Sequence, residues 1–282
     1  MSTAQSGNLA DKVVLVTGAA GAIGAATASK LAQAGARMLL ADLFPAGDER
    51  ITKLHRVLPE PVPYIACDIR DEAQVMAMVE RALELHGRLD GAANIAGIVG
   101  PSTVTAEYPA GEFRRVIDVN VTGTWLCMKH ELGAMLPGGT GAIVNVASIA
   151  GHSGEMYRAA YVASKAGVIG LTKTAAVEAA ASGVRINAVS PGPVGTAQFH
   201  TNVGPPGSER YRRVVEAIPN GRTGGPDEIA DIICWLLSDT SSFVIGHEVI
   251  ADGGITAEGL AAPRLVQPEK TTGAAPAMES TP

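Results

Sequence analysis

Residues 12–42 constrain the fold more than any other stretch. KVVLVT is a short, β-branched run that ends in the glycine-rich TGAAGAIG, residues 17–24. An Ala-rich stretch suited to a helix follows as far as Ala34, and Gly35 ends it as a C-cap glycine does. ARMLLA is a second apolar run, closing at Asp42, eighteen residues beyond Gly24. Strand, glycine turn, helix, strand and acid in this order form a dinucleotide-binding unit. Gly18 and Gly24 permit the tight turn and let backbone N–H groups approach a pyrophosphate at the helix N-terminus. Asp42 stands where an acid accepts hydrogen bonds from adenosine ribose hydroxyls; the other reading is a surface-turn carboxylate.

The alternation continues along the chain. Residues 64–67 read as a third strand, followed by Asp68, and 72–85 as a helix with Val75, Met78, Val79, Ala82 and Leu85 on one face. Asp68 is placed to take the adenine amino group or to cap that helix. Further strands are expected at 89–94, 142–148, 184–189 and 248–251, with helices at 112–136, 157–181 and 227–237. This pattern predicts an α/β fold: a Rossmann-like, doubly wound parallel sheet of about seven strands with helices on both faces. One catalytic domain is expected over 11–256, with a flexible N-terminus at 1–10 and a loop-rich substrate segment at 193–226. Residues 257–282, rich in Ala, Pro, Thr and Glu without periodicity, read as a disordered or surface-draped tail.

Composition narrows the function. An apolar share of 46% supports a sizeable core, and the 33 glycines suit close helix-on-sheet packing. A net charge of −6 argues against a nucleic-acid partner. No apolar run approaches the ~20 residues of a membrane span, and the first residues carry no basic-then-apolar leader pattern. Cys67, Cys127 and Cys234 are odd in number and widely spaced, so neither disulfides nor a metal site is expected. A cytoplasmic setting follows.

In SIAGHSGEMYRAAYVASK, Tyr161 and Lys165 stand four residues apart in a helical context and so share a face. A phenol ionises near pH ~10, and a neighbouring ammonium favours the phenolate, which suits general acid–base work. Ser148 ends the apolar run GAIVNVAS, where its hydroxyl can hold a substrate oxygen. Taken alone, the pair reads more readily as solvated surface residues than as a catalytic pair.

The ordered set TGAAGAIG, Asp68, NIAG at 94–97, Asn120 in DVNVTG, Ser148, YVASK, PGPVGT at 191–196 and Asp252-Gly253-Gly254 resembles the classical short-chain dehydrogenase/reductase family. Two departures stand out: Ala22 replaces a glycine of the turn, and Ile95 replaces the second Asn of the usual NNAG. The resemblance implies a catalytic set of Asn120, Ser148, Tyr161 and Lys165. In that set Tyr161 exchanges the proton, Lys165 lowers its pKa and binds the nicotinamide ribose, Ser148 orients the substrate oxygen and Asn120 holds a relay water. The bland alternatives are Asn120 satisfying buried backbone and Ser148 capping the next turn. The resemblance also implies that backbone at Ile23, Val194 and Thr196 lines the cofactor, and that Asn94 braces strands beneath it.

Asp42, with no basic residue directly after it, favours NAD as cofactor; Arg50 is the one nearby cation. The expected activity is interconversion of a secondary alcohol and a ketone on an alicyclic or secondary-metabolite-like small molecule. His152, Ser153, Met156, Phe199, His200 and Tyr211 are candidate lining residues. A 3-oxoacyl-type ketoreductase, or a non-redox enzyme or binding protein derived from the family, are the alternatives. A small-residue stripe of Ala160, Ser164, Gly167, Leu171 and Thr174 suggests a homotetramer or a dimer.

Overall fold

The structure, a computed structural model, describes residues 9–257. The apolar runs become seven strands: β1 (Val13–Thr17), β2 (Arg37–Asp42), β3 (Tyr64–Ala66), β4 (Gly91–Asn94), β5 (Gly141–Val146), β6 (Val184–Pro191) and β7 (Glu248–Ala251). They form one parallel sheet in the order β3-β2-β1-β4-β5-β6-β7. The order reverses between β1 and β4, where a crevice opens at the carboxyl ends of the strands. This is the doubly wound, single-domain architecture expected from the alternation.

Both faces are covered. Val13 and Leu15 point to a core shared with α3 (Glu72–His86), α5 (Thr124–Met135) and α6 (Ala159–Ala179). Val14 and Val16 point to a core shared with α1 (Ala22–Gln33), α2 (Glu49–Val57) and α9 (Pro226–Leu237). Alternate residues of a strand serve opposite faces, so β1 is buried throughout. Leu9, expected in the flexible N-terminus, is 2% exposed and joins the second core. The expected tail lies outside the described residues, apart from Ala257.

Three local differences from the sequence reading have physical causes. The helix α2 had no assignment; Asp48 caps it by accepting from Arg50 N–H, and Ile51 and Leu54 bury its inner side. The segment expected to be loop-rich contains α7 (Ala197–Val203), capped by Thr196, and α8 (Glu209–Glu216), capped by Ser208. The single helix expected at 112–136 is α4 (Ala110–Ile117) and α5 joined by a π-helical turn, Asp118–Gly123, that carries Asn120. Such turns insert one residue into the helical repeat and recur at functional sites. The small-residue stripe also needs correction. Ala160 and Ser164 are buried, Gly167 is half-buried and Leu171 packs on the first core; Thr174 alone of the stripe is exposed, on a face of α6 with Ala163, Ala166, Gly170, Lys173, Val177 and Glu178.

Candidate active site

Two cavities lie along the carboxyl ends of the strands and share walls at Ile95, Gly97 and Ile98. The first, about 340 Å³, is lined by Thr17, Gly18, Asp42, Phe44, Asp68 and Arg70, among others. The second, about 450 Å³, brings together Ile23, Ser148, Tyr161, Lys165, Val194 and Thr196.

The glycine turn is built for close approach. Gly18 has φ +67°, and a Cβ there would lie 2.6 Å from Ala96 N. A Cβ on Gly24 would run into the Gly18 carbonyl oxygen. Helix α1 starts with no side-chain cap and no acid in its first turn, so its free N–H groups and dipole favour an anion beside Ala22 and Ile23. Ala22, the departure from the family's turn, is accommodated there as the first residue of the helix. At the end of β2, Asp42 accepts from Ala20 N–H at 2.9 Å and from its neighbour Leu43 N–H at 2.8 Å. Both oxygens are thereby fixed at the cavity wall, each with a lone pair remaining for a ligand hydroxyl. Arg50 is bidentate to Asp48 and stacked on the Phe44 ring, 3.2 Å from its centroid. Asp68 lines the same cavity and pairs with Arg70, whose guanidinium holds its carboxyl below the usual range. The cap of α3 is Asp71, not Asp68. These features fit a nicotinamide dinucleotide: a helix N-terminus for its pyrophosphate and fixed carboxylates for its adenosine end.

In the second cavity, Ser148 is extended at the end of β5, and its Oγ accepts from Ala150 N–H. It lines the same cavity as Tyr161. Lys165 is 5% exposed and donates to the Val146 carbonyl at 2.8 Å, with Nζ 5.7 Å from the Tyr161 ring centroid. Burial lowers the Lys165 pKa to about 8. The Tyr161 phenol moves in the direction opposite to the sequence expectation: burial raises it, and the Ser148 hydroxyl only partly opposes the rise. The ammonium is turned to a carbonyl and is itself losing its proton near pH 8, so desolvation outweighs it here.

Asn120 is 1% exposed and lines neither cavity. Its amide closes a pair of bonds with Ile98, Oδ1 accepting from N–H and Nδ2 donating to the carbonyl, both at 2.8 Å. Nδ2 also donates to Ser164 Oγ at 2.9 Å. The backbone-satisfying reading therefore describes its protein contacts. A Cβ on Gly97 would still lie 3.2 Å from Asn120 Oδ1 and 3.5 Å from Lys165 Nζ, so the two groups flank the same glycine. Asn94 likewise lies beneath the site: Nδ2 donates to Glu131 at 2.9 Å and to Asn145 at 3.0 Å, tying β4 to α5 and β5. Glu131 is fully buried, and desolvation raises its carboxyl to about 8. Asn94 Oδ1 and Glu131 Oε1 have no donor among the described residues, and a proton on Glu131 supplies one.

Of the candidate lining residues, Phe199 alone lines the cavity. His152 pairs with Glu248 at 2.6 Å, Ser153 and Met156 are exposed, and His200 and Tyr211 pack on each other and on Phe199. Sequence reasoning missed Ile149, Arg158, Asn202, Val203 and Val214.

Comparison with known proteins agrees with this geometry. Residues 18–256 match the family model described as Enoyl-(Acyl carrier protein) reductase. The chain is 42% identical over 252 residues to a cis-4-hydroxycyclohexanecarboxylate dehydrogenase of Sinomonas cyclohexanicum, covering 88% of this chain and 98% of that protein. It is 38% identical over 261 residues to a cyclohexanol dehydrogenase of Acinetobacter sp. (strain SE19), covering 92% and 100%. Among solved structures, that of levodione reductase superimposes with a TM-score of 0.85 at 35% identity, over 89% of this chain and 99% of that one.

Proposed function

The chain belongs to the classical short-chain dehydrogenase/reductase family, and from that premise we propose that it oxidises a secondary alcohol on an alicyclic ring to the ketone, using NAD. At the coarser level it is an oxidoreductase acting on alcohols. The observation that carries the finer reading is the meeting of Ser148, Tyr161 and Lys165 in one cavity with Ile23, Val194 and Thr196. Ser148 holds the alcohol oxygen; Tyr161, once its own proton has passed to solvent, takes the alcohol's as a phenolate, and Lys165 in its ammonium form favours that phenolate. The nicotinamide, when bound, supplies the hydride acceptor. Asp42 supports NAD over NADP, because its fixed carboxylate gains bonds from a free 2′-hydroxyl and faces a like charge in a 2′-phosphate.

No helix among the described residues is long and apolar enough to cross a membrane. We read the protein as a cytoplasmic homotetramer, or a dimer, joined through exposed Trp125 of α5 and the Ala163–Ala166–Gly170–Val177 face of α6. Light scattering that finds a fully active monomer removes the oligomer. The function is tested by mixing the protein with NAD and a panel of cyclic alcohols and diols, with a 3-oxoacyl thioester and NADH as control. Formation of NADH from the alcohols supports the reading; oxidation of NADH by the thioester alone overturns it.

A further inference from the structure

The cavity that holds Ser148 and Tyr161 also holds a guanidinium without a close partner. Arg158 lines it with a side chain only 11% exposed. Its ion pair is a single 3.5 Å approach of Nε to Glu155, whose side chain is 49% exposed. Among the described residues its guanidinium makes no hydrogen bond.

Other arginines of this protein are treated differently. Arg70 and Arg222 are gripped by two oxygens of a neighbouring acid, and the partly buried Arg185 is filled by the Leu236, Ser238 and Ser241 carbonyls and the Ser241 hydroxyl. A nearly buried cation left short of acceptors is unfavourable unless something else supplies them. The planar fork of a guanidinium matches one ligand best, a carboxylate taken by two parallel bonds.

The local backbone places this group deliberately. Tyr157 adopts φ +68°, a left-handed conformation disfavoured for a bulky residue, and its carbonyl accepts from Thr103 N–H at 3.0 Å. The chain then enters α6 at Ala159, and Arg158, at its N-cap, lines the same cavity as Tyr161 and Lys165. Ile98, Val99, Phe199, Val203 and Val214 give the space between them apolar walls.

We propose that the substrate carries a carboxylate as well as its alcohol, and that the terminal nitrogens of Arg158 bind it. This deepens the reading of the cavity as an alcohol-oxidising site and rests on it. Glu155 comes no closer than 3.5 Å, at Nε, and makes no hydrogen bond to the fork.

The test is calorimetric titration of the full-length protein, with NAD present, by cyclohexanecarboxylate and by its neutral amide. Neither has an alcohol, so turnover is not needed. The acid is expected to bind the parent at least about tenfold more tightly than the amide, the range of a charge-assisted pair. Arg158→Met should bring that ratio close to one, and Arg158→Lys should keep part of it. Melting curves establish that both variants fold, and the lysine variant carries the test if the methionine variant does not. A parent that binds acid and amide alike, or binds neither, overturns the proposal; so does a folded Arg158→Met that keeps the preference. A parent that binds the acid through Arg158 yet oxidises no alcohol sinks the activity and spares the anion site. Oxidation of neutral alcohols with no preference for acids does the reverse.

Discussion

The two cavities differ in how they treat charge. On the adenosine side, charges are paired within the protein and close along the chain: Asp48 with Arg50, Asp68 with Arg70, Glu112 with Arg115. On the substrate side, Lys165 and Arg158 are nearly buried and no carboxylate grips either closely. Paired, half-exposed groups shape a wall and contribute little energy individually. A buried ammonium such as that of Lys165 is held near the edge of its ionisation, where a ligand or a proton changes its state. On the proposed reading, the first arrangement holds a cofactor in place and the second does chemistry.

The largest effect expected from this contrast is at Tyr161. Tyr161→Phe keeps the ring and removes the transferable proton, so kcat should fall by roughly 10²–10⁴-fold with little change in cofactor affinity. Steady-state kinetics showing turnover within a few-fold of the parent would place the proton transfer elsewhere and remove the contrast at its centre.

Next in size is Asp42, the adenosine-side group whose two oxygens stay fixed without an arginine. Like-charge contact in a recognition site costs several kcal/mol, so the parent should favour NAD over NADP by roughly a hundredfold in kcat/KM. Asp42→Ala should lose most of that preference. A parent indifferent to the 2′-phosphate would mean that the carboxylate serves only the turn.

A smaller effect is expected from Glu131 beneath both cavities. A free glutamate releases its proton near 4.5, whereas burial holds that of Glu131 to about 8. Between those values the unfolded chain sheds a proton that the folded chain keeps. Stability therefore falls as pH rises through this window, by on the order of a few kcal/mol, and the loss is complete above it. Glu131→Gln removes the titration and can keep the bond from Asn94 Nδ2. Thermal melts at pH 5 and pH 8 should show the parent losing ground to the variant; parallel curves would mean that Glu131 ionises normally.

The smallest effect belongs to Arg70. Its pair with Asp68 is 45% and 23% exposed, so Arg70→Gln should change the affinity for NAD by no more than a few-fold, about 1 kcal/mol or less. A much larger loss, measured by titration, would show that the adenosine cavity also depends on a free cation.

Much of the site was legible because it is written locally. TGAAGAIG carries its own turn, helix start and φ requirement, and YVASK fixes two side chains on one face by helical spacing alone. Asn94 illustrates the limit: NIAG marked it as a brace, but its partners Glu131 and Asn145 lie 37 and 51 residues away. The π turn at Asp118–Gly123 lies in DVNVTG, whose residues are all weak helix formers; they mark an interruption but not its π geometry. The helices α7 and α8 were hidden because neither has a fully buried residue, so no apolar periodicity announces them.

The sequence by itself determined the order of elements, the parallel sheet and the placing of Asp42, Ser148, Tyr161 and Lys165 at strand ends and on one helix face. Those features depend on spacing and on side-chain type, which a chain carries with it. Only the tertiary structure decided the ionisation of the site and the lining of its pocket. Tyr161 is raised rather than lowered, Lys165 is brought to about 8, Arg158 is turned inward, and Met156, five residues before Tyr161, is left in solvent. Desolvation depends on every atom packed around a group, and that packing brings together residues from distant parts of the chain.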